Sequence, residues 1–175
     1  MFIFWELFGI IKRLFAKAHE GIDMTEDIII RTMSIEDYPQ MKALWMTISG
    51  FGIRTIDDSL EGVTTFLKRN PTTSIVAEKD GEIVGTIMGG HDGRTASLYH
   101  VCVKKELRRQ GIGTAMAVAA MRALQAEKIN KITLIAYKKN EIGNNFWHKS
   151  GWVEREDINT YDFILNEENI TNFNE

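Results

Sequence analysis

The chain has 175 residues, 44% hydrophobic and 26% charged, which suits one packed domain. Its formal net charge of −3 excludes bulk nucleic-acid binding, which rests on dense cation–phosphate contacts. One cysteine, Cys102, excludes an intramolecular disulfide and a multi-cysteine zinc site, and His19, His91, His100 and His148 lack metal-ligand spacing; no metal is expected, and a reducing cytoplasm is the expected location.

No run of residues is long enough to cross a bilayer. In the opening stretch, "MFIFWELFGIIKRLFAKAHEG", Glu6, Gly9, Arg13, Lys17 and Glu20 share one helical face. Phe4, Leu7, Phe8, Ile11, Leu14, Phe15 and Ala18 lie opposite, so the stretch reads as an amphipathic helix. Its cations fall inside or after the apolar run, unlike those of a secretory signal. The arm, residues 1–23, has three placements: packed on its own domain or on the mate in a homodimer, docked at a membrane surface, or an extension upstream of a start at Met24.

Residues 21–27 read as a hinge and 28–31 as a short β-branched strand. Ser34 followed by Asp37 resembles a capping box, and Met41, Leu44, Trp45 and Ile48 then recur at helical spacing. Pro39 fits only near that helix's start. "SGFGIRT" breaks it, and Asp57 or Asp58 can cap a second helix carrying Leu60, Val63, Phe66 and Leu67. The period then changes: "TSIVAEKDGEIVGTIMGGHDGRTASLYHVCV" predicts three antiparallel strands joined at Asp80-Gly81 and Asp92-Gly93. Gly89-Gly90 suggests a bulge or a close backbone approach. An alanine- and methionine-rich helix follows, then "KITLIAY" as a buried strand and "NEIGNNFWHKSGW" as a short helix stopped by Gly151. "WVERED" and "YDFIL" read as a final strand pair, and 169–175 as a polar tail. The order is β-α-α-β-β-β-α-β-α-β-β, a mixed α/β layer fold.

The most informative stretch is "VKKELRRQGIGTAM", residues 103–116, where a strand gives way to cations, two glycines and a helix. A helix N-terminus presents unpaired N–H groups and the positive end of its dipole, so anions bind there. Gly111 and Gly113 let phosphate oxygens approach the backbone, and Arg108 and Arg109 can grip them. The Walker pattern fails, because Thr114 and Ala115 follow the last glycine. The dinucleotide pattern fails too, because Met116 stands where a third glycine belongs and the next strand ends in Ala136-Tyr137-Lys138 without an acid. Arg/Gln-x-x-Gly-x-Gly/Ala is met at every position by Arg108-Arg109-Gln110-Gly111-Ile112-Gly113.

On that hexapeptide, placed between a strand and a long helix, the sequence resembles the GNAT superfamily of acyl-CoA-dependent N-acyltransferases over residues 28–165. "GEIVGTIMGGHDG" is similar to the small stand-alone bacterial members. The resemblance implies a mixed, mostly antiparallel central sheet flanked by helices, in a domain over 24–168. It implies that main-chain groups of the strand around Val101, Cys102 and Val103 hold the pantetheine of acetyl-CoA. The loop Arg108, Arg109, Gln110, Gly111, Ile112, Gly113 and Thr114 would wrap the pyrophosphate. Asn140, Asn144 and Phe146 would complete the coenzyme site.

The implied reaction is direct attack of an amine on the thioester. A lysine-like amine, with a pKa of about 10.4, is almost wholly protonated at neutral pH, so a base is needed, and the departing thiolate calls for an acid. Many relatives supply the acid as a tyrosine, where this chain has Trp147, whose indole cannot serve. Tyr99 and Tyr161 are the remaining candidates by chemistry; otherwise water protonates the thiolate, or catalysis is weak and the chain is a non-catalytic acyl-CoA-binding module. His100 is the expected base, with Tyr99 and His100 on opposite sheet faces by strand alternation. His91 reads better as a turn residue, and Cys102 as a core thiol. Trp45, Phe51 and Arg54 are expected to shape the acceptor pocket for a small-molecule or protein amine, with Trp45 also fitting its helix's apolar stripe.

Overall fold

The computed structural model describes residues 27–175. The expected arm over 1–23, and the hinge up to residue 26, lie outside them. Strand β1 (Ile28–Thr32) leads through a 3-10 turn into helix α1 (Tyr38–Met46). The Ser34 N–H donates to Asp37 Oδ2 at 2.8 Å, as the capping pattern requires. The same carboxylate takes two hydrogen bonds from Arg31, at 2.8 and 2.7 Å, while Arg31 Nε reaches Glu78 at 2.9 Å, so the helix start is tied to the sheet. A short strand β2 (Gly52–Arg54) precedes helix α2 (Leu60–Arg69). Ser59, rather than Asp57 or Asp58, caps α2 by accepting the Gly62 N–H at 3.1 Å, which leaves Asp58 free for other work.

Strands β3 (Ile75–Lys79), β4 (Glu82–His91) and β5 (Ala96–Val103) form the expected meander. With β1 and β6 (Ile132–Thr133) they make one sheet in the order β1-β3-β4-β5-β6, antiparallel except for the β5–β6 pair. Helix α3 (Ile112–Ala126) lies on one face, where Met116, Ala117, Ala120 and Leu124 meet Ile75, Val84, Ile87 and Leu98. Alanine at two of those positions lets helix and sheet approach closely. Helices α1 and α2 cover the other face through Met41, Leu44, Trp45, Val63 and Leu67, packed with Val76, Met88 and Cys102. The expected fold class is the one found. The Gly89-Gly90 pair serves close approach, to Thr73 and Phe66 respectively.

Three expectations fail around the far edge of the sheet. The "KITLIAY" strand is reduced to Ile132–Thr133, and Ile135 is 81% exposed. Neither "WVERED" nor "YDFIL" forms a strand. The polar tail instead supplies strand β7 (Thr171–Phe173), antiparallel to β2. The neighbouring strand β5 is itself irregular. Thr86 pairs with Cys102 and Met88 with Tyr99, so Ile87 alone faces both His100 and Val101. Such a bulge bends and twists its strand. Beyond Ser97 β5 has no partner on its β6 side, and the chain after Thr133 leads away from it. A wedge opens between the two, and the later segments have no straight edge on which to add.

Candidate active site

The wedge is bounded on one side by β5, whose edge from Tyr99 to Val103 carries main-chain groups that no strand on that side pairs. Its other wall is the chain after β6 and helix α4 (Glu141–Lys149). The Asn140 side chain accepts the Gly143 N–H at 3.0 Å and so caps α4. Asn144 donates its amide protons to the carbonyls of Tyr137 and Lys138, at 3.1 and 3.3 Å, fixing the loop that enters the helix. Both asparagines thus set the shape of this wall. Phe146 lies over Gly113, where a Cβ would sit 3.4 Å from its ring, and joins α4 to the start of α3.

At the wedge's end the chain turns through residues 104–111. Arg108 Nε donates to the Val103 carbonyl at 2.9 Å, folding the turn back on β5. Arg109 and Gly111 both adopt left-handed backbone, with φ of 64° and 83°, and α3 begins at Ile112. A side chain at Gly111 would strain that geometry. Among the described residues, no acceptor takes the backbone N–H groups of residues 109–114. Left-handed residues interleaved with a helix start aim successive N–H groups at one point, an anion-binding concavity. Exposed Arg109 and Gln110 flank it.

On the α1/α2 side of the same strand stands His100, with φ of 48°. Histidine tolerates this left-handed region better than most residues, and strained residues concentrate at functional sites. The bulge cancels the simple alternation: Tyr99 and His100 lie on the same face, Tyr99 edge-on to Phe66 at 5.9 Å, His100 stacked on Trp45 at 4.4 Å and beside Phe51 at 5.0 Å. Imidazole Nε2 lies 2.5 Å from Asp58 Oδ1. Asp58 Oδ2 accepts the Arg54 N–H at 2.6 Å, and the Asp58 carbonyl accepts the Tyr38 hydroxyl at 2.9 Å. Beneath the bulge, Trp45 Nε1 donates to Thr86 Oγ1 at 3.0 Å, and Thr86 donates to the His100 carbonyl at 2.7 Å.

The structure gathers the expected residues unevenly. Val101 and Val103 border the wedge, while the Cys102 side chain is buried on the other face, 3.3 Å from Thr86 Oγ1. Burial pushes the Cys102 thiol up to about 11, so it is no nucleophile near neutrality. Trp45 is fully buried, a floor under His100 rather than a surface for substrate. Phe51 is half-buried beside the imidazole, and Arg54 is exposed and paired with Asp57 at 3.0 Å. Trp147 packs into the core against Phe146 and Trp152, so the residue at the relatives' tyrosine position does not face the wedge. Tyr161 is 87% exposed, in the irregular segment before β7, and is not brought to His100. His91 accepts the Gly93 N–H within its hairpin. Asp58 was missed as a site residue. The signal was present: Asp57, Asp58 and Ser59 are all cap-forming types, and α2 needs only one.

Among the described residues no helix is long and apolar enough to cross a membrane, and no cluster of His, Cys, Asp or Glu converges as a metal site would. An acetyltransferase of Photorhabdus laumondii is 33% identical over 112 residues, 64% of this chain and 77% of the relative. An aminoglycoside acetyltransferase from an uncultured soil metagenomic sample, solved with sisomicin, superposes with a TM-score of 0.65 at 18% identity, covering 82% of this chain and all of its own. An N-acetyltransferase from Thermoplasma acidophilum, solved with coenzyme A, gives 0.59 at 20% identity, covering 70% and 87%. Residues 38–152, from the start of α1 to the end of the α4 turn, match the acetyltransferase (GNAT) family. With the wedge, the glycine turn and the β3-β4-β5 meander all falling inside that match, the chain belongs to the GNAT family and is an N-acetyltransferase.

Proposed function

We propose that the chain transfers an acetyl group from acetyl-CoA to a primary amine by direct attack within a ternary complex. The observation that carries this reading is the row of unpartnered N–H groups over residues 109–114, opening at the end of the wedge. A diphosphate there would meet the helix dipole and the turn's N–H groups. The pantetheine would lie along the bare edge of β5 at Val101 and Val103, delivering the thioester beside the bulge. The amine would enter from the α1/α2 side, past Phe51 and Arg54, and His100 is the base that frees it of a proton. The acceptor belongs first among polycationic amines, since exposed Asp57 and the accessible ring faces of Tyr99 and Phe51 offer anionic and π-face contacts. The aminoglycoside acetyltransferases among the structural neighbours make aminoglycosides the natural first panel. The relatives' acid is absent at Trp147, so the thiolate takes its proton from solvent.

Calorimetric titration with acetyl-CoA, CoA and dephospho-CoA, followed by thiol release with pooled amines, tests the reading. Binding of all three with amine-dependent thiol release is expected. A folded protein that binds none of them would overturn it.

A further inference from the structure

We infer that Asp58 and His100 form a carboxylate–imidazole dyad in which Asp58 fixes the proton on Nε2 and leaves Nδ1 as the basic atom. The inference rests on the acetyltransferase reading and adds to it a residue, an atom and a tautomer. An ionised carboxylate only accepts hydrogen bonds. Asp58 Oδ2 is already held by the Arg54 N–H, and Oδ1 lies 2.5 Å from His100 Nε2, so in the neutral ring Nε2 carries the proton. Nδ1 then bears the lone pair. Among the described residues nothing bonds to Nδ1, yet no buried polar side-chain atom lacks a partner, so Nδ1 is open to solvent or substrate.

The surroundings hold this geometry without sharing in the chemistry. Side-chain exposure is 14% for His100 and 6% for Asp58, so the carboxylate is screened from water while the ring keeps a small accessible edge. Trp45 and Phe51 fix the ring plane. The bulge brings His100 to this face at all, and Thr86 anchors its carbonyl. Asp58 is supplied because Ser59 takes over the helix cap, and because Gly62 lets the loop press against α2: a Cβ there would collide with the carbonyl oxygens of Ile56 and Asp57.

In the reaction, Nδ1 takes one proton from the bound ammonium and becomes part of an imidazolium whose Nε2–H stays on Asp58. The freed nitrogen lone pair forms the C–N bond at the thioester carbonyl. Collapse of the tetrahedral intermediate breaks the C–S bond and releases the thiolate. The second nitrogen proton leaves to solvent, from which the thiolate is protonated, and His100 returns its own proton to solvent. One ammonium and one thioester thus give one amide, one thiol and one proton. Asp58 touches no substrate atom and is a positioning residue.

Long-range nitrogen–proton NMR of the neutral imidazoles, assigned with His100→Gln, reads the tautomer in the unmodified protein. A protonated Nε2 with a bare Nδ1 at His100 is expected; the reverse would overturn the dyad. In Asp58→Asn the amide NH2 faces Nε2, the proton moves to Nδ1, and kcat/KM is expected to fall about 100-fold or more. Acetyl-CoA affinity should stay within about twofold, since neither residue lies in the glycine turn. Combining Asp58→Asn with His100→Gln should lose little beyond His100→Gln alone. An Asp58→Asn enzyme within about threefold of the parent would overturn the positioning role while leaving the transferase reading intact. A parent protein that binds no acetyl-CoA and releases no thiol would overturn the transferase reading and the base role with it, and the tautomer measurement would still decide the dyad.

Discussion

Replacing Thr86 with valine removes one oxygen from the hub beneath the bulge, and its consequence can be worked out from the contacts. Thr86 and Trp45 are fully buried. The hydroxyl accepts from Trp45 Nε1 at 3.0 Å and donates to the His100 carbonyl at 2.7 Å. Valine matches the shape but can do neither. The indole N–H is then stranded in the core at about 1–3 kcal/mol, and the partly buried carbonyl adds somewhat less, for a total of about 2–4 kcal/mol. That is a large share of a typical domain's 5–15 kcal/mol or so. Urea unfolding should show a lower midpoint with an unchanged slope. Trp45→Phe removes the donor that valine would strand, so the double variant should recover about 1 kcal/mol relative to the sum of the two single losses. A Thr86→Val loss below about 0.5 kcal/mol, or full additivity with Trp45→Phe, would refute the hub and with it the account of what pins His100.

Gly111→Val together with Gly113→Val should abolish measurable acetyl-CoA binding in calorimetry, because one position needs left-handed backbone and the other packs against Phe146; retained affinity in a folded variant would remove the pyrophosphate assignment. Cys102, with its thiol pushed up to about 11 by burial, should resist aromatic disulfide reagents at pH 8 in the native state and react fully in denaturant; native labelling within minutes would contradict its burial. Deleting residues 167–175 removes β7 and Asn174, which donates to the carbonyls of Trp45 and Ile48 at 2.7 and 3.1 Å. The loop bearing Phe51 and Asp58 loses its strap, and kcat/KM for the amine should fall by roughly tenfold while acetyl-CoA affinity holds. Burial alone would raise the Asp37 carboxyl, but hydrogen bonds from Arg31 and Ser34 outweigh it and hold the group below the usual range. Its contribution is present above the unfolded pKa of about 3.9 and is lost as pH falls through the lower folded value, so Arg31→Met should lower stability at neutral pH and flatten the decline seen in urea melts below about pH 4.

The central meander and the glycine turn were legible because each is fixed by local chemistry. Asp-Gly pairs demand hairpins, and a cationic turn with glycine at the helix start has few other uses. The sheet's far edge was not legible. "KITLIAY", "WVERED" and "YDFIL" all have strand composition, but a strand needs a partner as well as a propensity. That partner ends at Ser97, and beyond it β5 carries a bulge at His100 and Val101 that no residue type in "LYHVCV" announces. The same extra residue misled the reading of the site. Strand alternation sets neighbours on opposite faces only while the ladder stays in register. At the bulge one residue is added to β5, and Tyr99 and His100 fall on one face instead of two.

Asp58 illustrates a different kind of blindness. Read along the chain, it is one of three cap-forming residues before a helix, and a cap is the local use for it. Read across the fold, its partner is forty-two positions away on a strand bulge, at a separation no periodicity can detect. What local chemistry does supply is a count. A helix start takes one capping side chain, and Ser59 suffices. A second cap-capable carboxylate in the same run is left with a charge that burial penalises unless something distant compensates it. Asp58 is buried, so that compensation had to exist, and among the described residues its two oxygens find it in the Arg54 N–H and the His100 ring. The surplus in the cap and the strain at the bulge are therefore two ends of one interaction. Each is locally unfavourable, and the contact between them compensates both.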